Sequence, residues 1–457
     1  MKWDYLIALV LTLLVLLGCT PKSSTPPSPA PTPTPVPTPA PTPPPDTTPP
    51  SAITGLIATN AYDGKINLWW DKSTAEDFDH YNIYLNKAEM VDVTGMKAIQ
   101  QIKDIATCRY QVTGLEDETR YYFAVTAVDK SGNEGVQVTS VSATPAPMLR
   151  GTKAPDIIVD IYQPDRVWAG TTLLTLNHDP QRRRIVEVNM FGEVVWEYLV
   201  PGVPKNSFVE AELLPNNNIL YTVGAKGVYE IDYNGKVVWS YLTNKIDHDA
   251  DRLLNGNTIF VFGMGDQKSD AQVTEVDPEG KVVWTWYARD HFDKPPYNNI
   301  FNEGWAHTNA VSRLPNGNTL ISPRNFNLVV EVDPKGDVVR TYGEGVFSSQ
   351  HDPEMLPNGN IIAALQWRDK PHRAAEFDPK TGKIVWEYLI PDRENCPVRD
   401  ANRLPNGNTL ITGTTEIVEV TPEGEIVWRL RLQGISFSQQ EAAGRGFYKA
   451  DRISAQR

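Results

Sequence analysis

Cysteine is nearly missing from this chain of 457 residues: three occur, Cys19, Cys108 and Cys396, far apart in three different segments. That excludes a disulfide framework and a zinc site of the paired-cysteine kind. Basic residues are outnumbered, 43 against 56 acidic, for a net charge of −13. With no cationic excess to meet phosphates, nucleic acid is excluded as a partner. Histidine is sparse too, seven in all. The apolar run from Tyr5 to Leu17 falls short of the roughly 20 residues that a membrane-crossing helix requires.

That run has the length of a signal-peptide core and follows Lys2, so residues 1–18 read as an export signal. It ends in Leu16-Leu17-Gly18-Cys19, which resembles the lipobox of bacterial lipoproteins. The resemblance implies cleavage before Cys19 and diacylglycerol on its sulfur. At about 0.8 kcal/mol per buried CH₂, two acyl chains would hold the protein at a membrane surface, facing the extracellular or periplasmic side. Residues 19–45 are dominated by Pro, Thr and Ser. Such a segment buries nothing and extends as polyproline II, a linker between anchor and folded domains.

Residues 46–146 carry period-two alternation in Ile66-Asn67-Leu68-Trp69-Trp70 and Tyr81-Asn82-Ile83-Tyr84-Leu85, the pattern of half-buried strands. Together with Thr47-Thr48-Pro49-Pro50 and the segment from Thr119 to Asp129, this resembles the fibronectin type III family. Trp70 matches its core tryptophan and Tyr121 its tyrosine-corner position. The resemblance implies a spacer or a module for a glycan or protein partner, not a catalytic domain. His80 reads as a solvated loop residue.

Beyond this module the chain repeats itself. The phrase Leu314-Pro315-Asn316-Gly317-Asn318-Thr319-Leu320 recurs closely from Leu356 and from Leu404, and more loosely from Leu214 and Leu253. A second phrase of the form V-D-P-x-G-K-V-V-W ends at Trp196, Trp239, Trp284, Arg340, Trp386 and Trp428. Six endings spaced by roughly 42 to 56 residues have the period of propeller blades. The expected fold is therefore all-β, with a six-bladed β-propeller over residues 151–457 behind the N-terminal β-sandwich. Asn-Gly and Pro-x-Gly pairs supply the positive φ of hairpin turns. Val282-Val283-Trp284 and its equivalents are expected to pack as core between neighbouring blades.

In a propeller the innermost strands line the axis, so residues just before the L-P-N-G-N phrase are candidates for a funnel wall. Successive blades offer Glu210, His248-Asp249, His307 with Asn309, His351-Asp352 and Arg399-Asp400. A structural histidine would recur in most blades. Here histidine stands in three and other polar types in the rest, which points to a differentiated site. His178, His291 and His372 lack the phrase.

Trp305-Ala306-His307-Thr308-Asn309-Ala310, Ile321-Ser322-Pro323-Arg324-Asn325 and Gln350-His351-Asp352-Pro353 resemble the signature blocks of bacterial aryl-sulfate sulfotransferases. Phe447 to Ile453 is similar to sequences near the C-terminus of related proteins. The resemblance spans roughly Trp168 to Arg457. It implies a catalytic set of His351, His307, His248 and Arg324, with Asn309 binding substrate. His351 is the implied carrier of the sulfuryl group, and neither metal nor cofactor is needed. The implied small-molecule partners are an aryl sulfate donor and a phenolic acceptor. The chain departs from the family in its fibronectin-like module and in Leu365-Gln366-Trp367, where an Asp-Asn-Gly turn is frequent. The residue types suit sulfuryl transfer, in which charge spreads over three oxygens and fixed cationic donors stabilise it. Three other readings of the same residues stand beside this one: a zinc ion held by the three histidines, a quinoprotein, and a non-catalytic propeller that binds a glycan or protein.

Overall fold

The computed structural model describes residues 44–298, 303–366, 371–390, 397–435 and 446–455. The N-terminal apolar run, Cys19 and the proline-rich segment lie outside these, as do Trp367 and Cys396. The chain divides into two units, Met1–Asp46 and Thr47–Arg457, and all the sheets belong to the second. Among the described residues no helix is long and apolar enough to cross a membrane.

The segment resembling fibronectin type III forms two facing antiparallel sheets. One holds Ile57–Asn60, Ile66–Trp69 and Arg109–Val112; the other holds Gln100–Ile102, Phe78–Asn86, Tyr121–Asp129 and Val141–Ala143. Alternation buries Ile66, Leu68, Tyr81, Ile83 and Phe123 between them, with Trp70 edge-on to Tyr81 at 5.5 Å. The Tyr121 hydroxyl accepts the backbone N–H of Glu116 at 3.1 Å, the corner bond expected of that position. His80 lies within the strand Phe78–Asn86, its Nδ1 2.6 Å from Asp79 Oδ2, so the loop expected there is a strand. The module packs directly on the sheets C-terminal to it. Tyr62 and Met148 join a cluster with Leu174 and Trp428, Trp69 meets Trp168 at 5.8 Å, and Asn67 Nδ2 donates to Pro164 O at 2.8 Å.

From Thr152 onward, six antiparallel sheets succeed one another along the chain. Adjacent sheets touch in order, and the last touches the first. The innermost strands are Val209–Leu213, Ala250–Arg252, Thr308–Arg313, Gln350–Met355, Val398–Arg403 and Ala450–Ser454. The last of these is the inner strand of the first sheet, beside Gly170–Leu176, while Ile157–Tyr162 is the outermost strand of the sixth. The two ends of the ring are thus interlocked by main-chain hydrogen bonds.

The repeated phrases are explained by a recurring chain of polar contacts. In L-P-N-G-N the second asparagine, just before the second strand, turns its amide onto a glutamate of the third: Asn318 Nδ2 donates to Glu331 Oε1 at 2.6 Å, and Asn257, Asn360 and Asn408 do the same to Glu275, Glu376 and Glu419. That glutamate then receives an arginine from the next sheet's inner strand: Arg252 to Glu230 at 2.7 Å, Arg313 to Glu275 at 2.6 Å and Arg403 to Glu376 at 2.7 Å. Arg452 and the fully buried Glu419 repeat the contact across the closure at 3.2 Å. Pairing satisfies charges that would otherwise be costly to bury. The tryptophan ending the second phrase reaches forward instead. Trp196, Trp239 and Trp386 donate their indole N–H to Tyr233 O, Pro278 O and Pro422 O of the following turn, and Trp428 donates to Met190 O of the first sheet.

One expectation fails here. Val282 and Val283 are nearly half exposed, as are Val237 and Val238. They lie on outermost strands, where one edge and part of each face meet solvent, so they are not core. Of the phrase-ending tryptophans among the described residues Trp428 alone is fully buried; Trp196, Trp239, Trp284 and Trp386 are partly buried and pack against the clusters between sheets.

Candidate active site

Three of the inner strands break the regular pattern at one level. Their register shifts between Thr308 and Val311, between His351 and Glu354, and between Val398 and Asp400. The inner strands of the second and third sheets pair without a shift. A bulge re-aims side chains and is frequent beside functional sites. His307, Ser349 and Asp352 have positive φ values of 49°, 43° and 43°, conformations that cost non-glycine residues of order 1–3 kcal/mol. Strain and bulges gather where the sequence placed its candidate residues.

The His307 turn is held from below. Asp266, fully buried, accepts the backbone N–H groups of Ala306 and His307 at 3.2 Å each, and Gln272 Nε2 at 2.9 Å. Burial pushes the Asp266 carboxyl up to about 6, against these hydrogen bonds. Gly263 backs the same turn so closely that a Cβ there would sit 2.3 Å from Thr308 O. His307 Nδ1 lies 2.7 Å from Glu303 O. A carbonyl only accepts, so Nδ1 carries the proton and the Nε2 lone pair is free to face the site. Arg324 opens a short 3₁₀ turn, Arg324–Phe326. Its Nη1 donates to Glu303 Oε2 at 2.6 Å and its backbone N–H to His307 O at 3.3 Å.

His351 is built the same way from the neighbouring strand. Its Nδ1 lies 2.9 Å from Ser349 O, which again puts the proton on Nδ1 and the lone pair on Nε2. Arg399 Nη1 stands 3.3 Å from that Nε2. Asn309 donates to Gln350 O at 2.8 Å, and Gln350 in turn donates to Leu328 O at 2.7 Å, which fixes the strand one residue before His351. Burial, then Arg399, Arg324 and His248, hold the His351 imidazole well below its usual range. Burial, then Arg324, His248 and Arg399, do the same for His307. Both rings are therefore neutral near pH 7.

His248 completes the group. Its ring meets His307 edge-on at 5.1 Å, and Phe208 and Tyr448 at 5.1 and 5.9 Å. Its Nδ1 is 2.9 Å from Asp247 Oδ1, close enough to pair but off the line of a hydrogen bond. Asp247 is itself fixed by the backbone N–H groups of Gly263 and Met264. The structure thus brings His248, His307, Asn309, Arg324 and His351 to one end of the inner strands. The three histidines do not bring three ligand atoms within 4.8 Å of one another, the convergence a zinc ion needs. His178 lies apart, paired with Asp156 at 2.9 Å.

Sequence reasoning underused Phe208, Arg399 and Tyr448. Tyr448 lies flat on Phe208, 4.5 Å apart and 6° from parallel, and Arg399 Cζ lies 5.1 Å from the Tyr448 ring centroid. Tyr448 lies two residues before the strand that closes the ring, so its place depended on a pairing distant in sequence. Below this level the wall turns acidic, with Glu210, Asp249, Asp352 and Asp400 around Lys449. Lys449 Nζ is 3.3 Å from Asp249 and 3.2 Å from Asp352. Burial pulls its pKa down, but the surrounding carboxylates of Asp249, Asp352, Glu212 and Asp451 carry it well above the ordinary lysine range.

Fold and site together define a β-propeller protein that gathers buried histidines and arginines at one end of its inner strands. Residues 165–345 match the family model described as Arylsulfotransferase (ASST), and residues 49–142 match that of the fibronectin type III domain. The chain therefore carries a segment that matches the arylsulfotransferase family model behind one that matches the fibronectin type III module. His248, His307, Asn309 and Arg324 fall inside the matched segment; His351 and Arg399 lie beyond its end. No curated protein matches the chain. Among solved structures it is similar to a protein of unknown function from Bacteroides caccae, with 19% identity over 59% of this chain and 96% of that one, TM-score 0.45. It is also similar to virginiamycin B lyase from Staphylococcus aureus, with 12% identity over 62% and 90%, TM-score 0.39. These likenesses carry no functional weight.

Proposed function

We propose that the protein moves a sulfuryl group from an aryl sulfate ester to a phenolic acceptor by double displacement through His351. The observation that carries this reading is the His351 imidazole: buried, neutral, its proton on Nδ1 and its Nε2 lone pair facing the Arg399 guanidinium. Nε2 attacks sulfur, the S–O(aryl) bond breaks, and the electron pair leaves with the phenoxide. Arg324 and the donors around it stabilise the charge on the sulfonate oxygens. In the second half-reaction the acceptor oxygen attacks sulfur, the S–N bond breaks, and the imidazole is restored. The acceptor's phenolic proton passes to His248, whose ring lies edge-on to His307 with Asp247 beside its Nδ1. Asn309 fixes the strand that presents His351. No step requires a metal or a nucleotide sulfate.

The test is a chromogenic aryl sulfate mixed with the protein from Pro50 onward, with and without a second phenol. A phenol burst followed by slow turnover, ping-pong dependence on the two substrates, and a mass gain of one SO₃ on His351 are expected. His351→Ala should abolish the burst. Turnover by that variant at the wild-type rate would exclude the covalent route. We further propose that Cys19 is acylated and holds the enzyme at a membrane surface, with residues 19–45 as linker and the fibronectin module open to a glycan or protein partner. Cys19→Ala should move the protein from the membrane fraction to the soluble one.

A further inference from the structure

Arg399 stands on the nucleophile's reacting atom, yet the double displacement through His351 assigns it no step. It comes from the sixth sheet, whose inner strand slips register between Val398 and Asp400, so Arg399 is the extra residue of a bulge. The slip takes it out of the ladder's pairing and turns it toward the site. Its side chain is largely buried, with the guanidinium over the Tyr448 ring, which is stacked on Phe208. A planar cation held against an aromatic face keeps its orientation better than a free side chain. From there Nη1 reaches His351 Nε2 at 3.3 Å.

The chemistry of the two groups makes this contact directional. Guanidinium has five donors and no acceptor. His351 Nδ1 already has its proton committed to Ser349 O. The contact therefore occupies the Nε2 lone pair, the electron pair that must attack sulfur. Attack requires Arg399 to release it, and an arriving sulfonate offers oxygens that accept the same N–H more strongly, because a hydrogen bond to an ion is the stronger kind.

Resting on the sulfuryl-transfer reading, we propose that Arg399 is a catalytic residue that caps the His351 Nε2 lone pair and hands its N–H over to the sulfonate when an aryl sulfate binds. Arg324, tied to Glu303 from the fourth sheet, and Arg399, from the sixth, then flank the group from two sides. In the transfer Nε2 forms the N–S bond, the aryl oxygen leaves with the S–O pair, and Arg399 stays on the sulfonate, neither gaining nor losing a proton. In the second half-reaction the order reverses and Arg399 returns to Nε2.

The experiment compares wild type with Arg399→Met and Arg399→Lys in the full chain, by ¹⁵N-histidine titration and by burst kinetics with a chromogenic aryl sulfate. In Arg399→Met, His351 should titrate at a pH higher by about one unit or more, because a neighbouring cation is gone. The phenol burst should slow about 10²-fold. Arg399→Lys, which keeps the charge but not the fork, should restore most of the titration and little of the rate. A merely structural role would not separate those two readouts. An unshifted His351 titration and a burst within about twofold of wild type in Arg399→Met overturn the hand-over and leave sulfuryl transfer standing. A shifted titration with no sulfohistidine in the wild type overturns the transfer reading itself, and the hand-over with it.

Discussion

His307 and His351 are each committed by Nδ1 to a backbone carbonyl, and both are held below the usual imidazole range, which has a consequence for pH. Ordinary imidazole begins to protonate near pH 6.5. Burial and the nearby guanidinium groups hold His351 and His307 well below that, so the nucleophile should remain neutral in mildly acidic solution. The phenol burst should therefore stay flat as pH falls through 6.5 and lose rate only well below it; a burst halved near pH 6.5 would show an unperturbed histidine. Asp266 runs the opposite way. Its folded pKa of about 6 lies above the unfolded value near 3.9. Its contribution to stability is thus complete below about pH 4 and lost as pH rises through 6. Asp266→Asn, which cannot ionise, should gain on wild type by about 2 kcal/mol between pH 4 and pH 7, read from urea unfolding at the two values. The same change should raise KM or lower kcat by loosening the turn that carries His307. Position in sequence marked these histidines well. Their tautomers were not legible, because they depend on the carbonyls of Glu303 and Ser349, which no motif predicts.

Two kinds of register shift divide structure from function among the strands. One recurs at the glutamate of every sheet, Glu187, Glu230, Glu275, Glu331, Glu376 and Glu419, and belongs to the repeat. The other is confined to three inner strands and belongs to the site. The repeat was legible from L-P-N-G-N and from the V-V-W endings, although the valines proved to be outer-strand residues. The link that joins those phrases, asparagine to glutamate to the next sheet's arginine, was not, since its partners lie one strand and one sheet apart. Breaking it should cost stability without touching chemistry. Arg403→Ala leaves Glu376 without its cation and should lower stability by about 1–3 kcal/mol. A double-mutant cycle with Glu376→Gln should recover part of that loss. Gly263→Ala tests the other class. A methyl group 2.3 Å from Thr308 O must displace the His307 turn, so the burst should slow by an order of magnitude or more while the far-ultraviolet spectrum is retained.

On the scale of the whole molecule, the decisive feature is the clasp: Ala450–Ser454 lies against Gly170–Leu176, Ile157–Tyr162 against Ile426–Leu432, and Trp428 is bound to Met190 O. Trp428→Phe removes the N–H and part of a fully buried ring, and should lower the unfolding midpoint by a few degrees, for about 2–3 kcal/mol. The sequence announced how many times a unit recurs but not that the first sheet would borrow its inner strand from more than 270 positions further on, as Gly170 pairs with Ser454. The clasp also sets a timetable for biogenesis. Ala450–Ser454 is made after every other strand of the ring, and Tyr448, which steadies Arg399, is made with it. A nascent chain already carrying His248, His307 and His351 still lacks the piece that shapes their surroundings, so catalytic competence should arrive in one step, once Ala450–Ser454 has been made, and nonsense fragments that stop before Phe447 should show no fractional activity at any length.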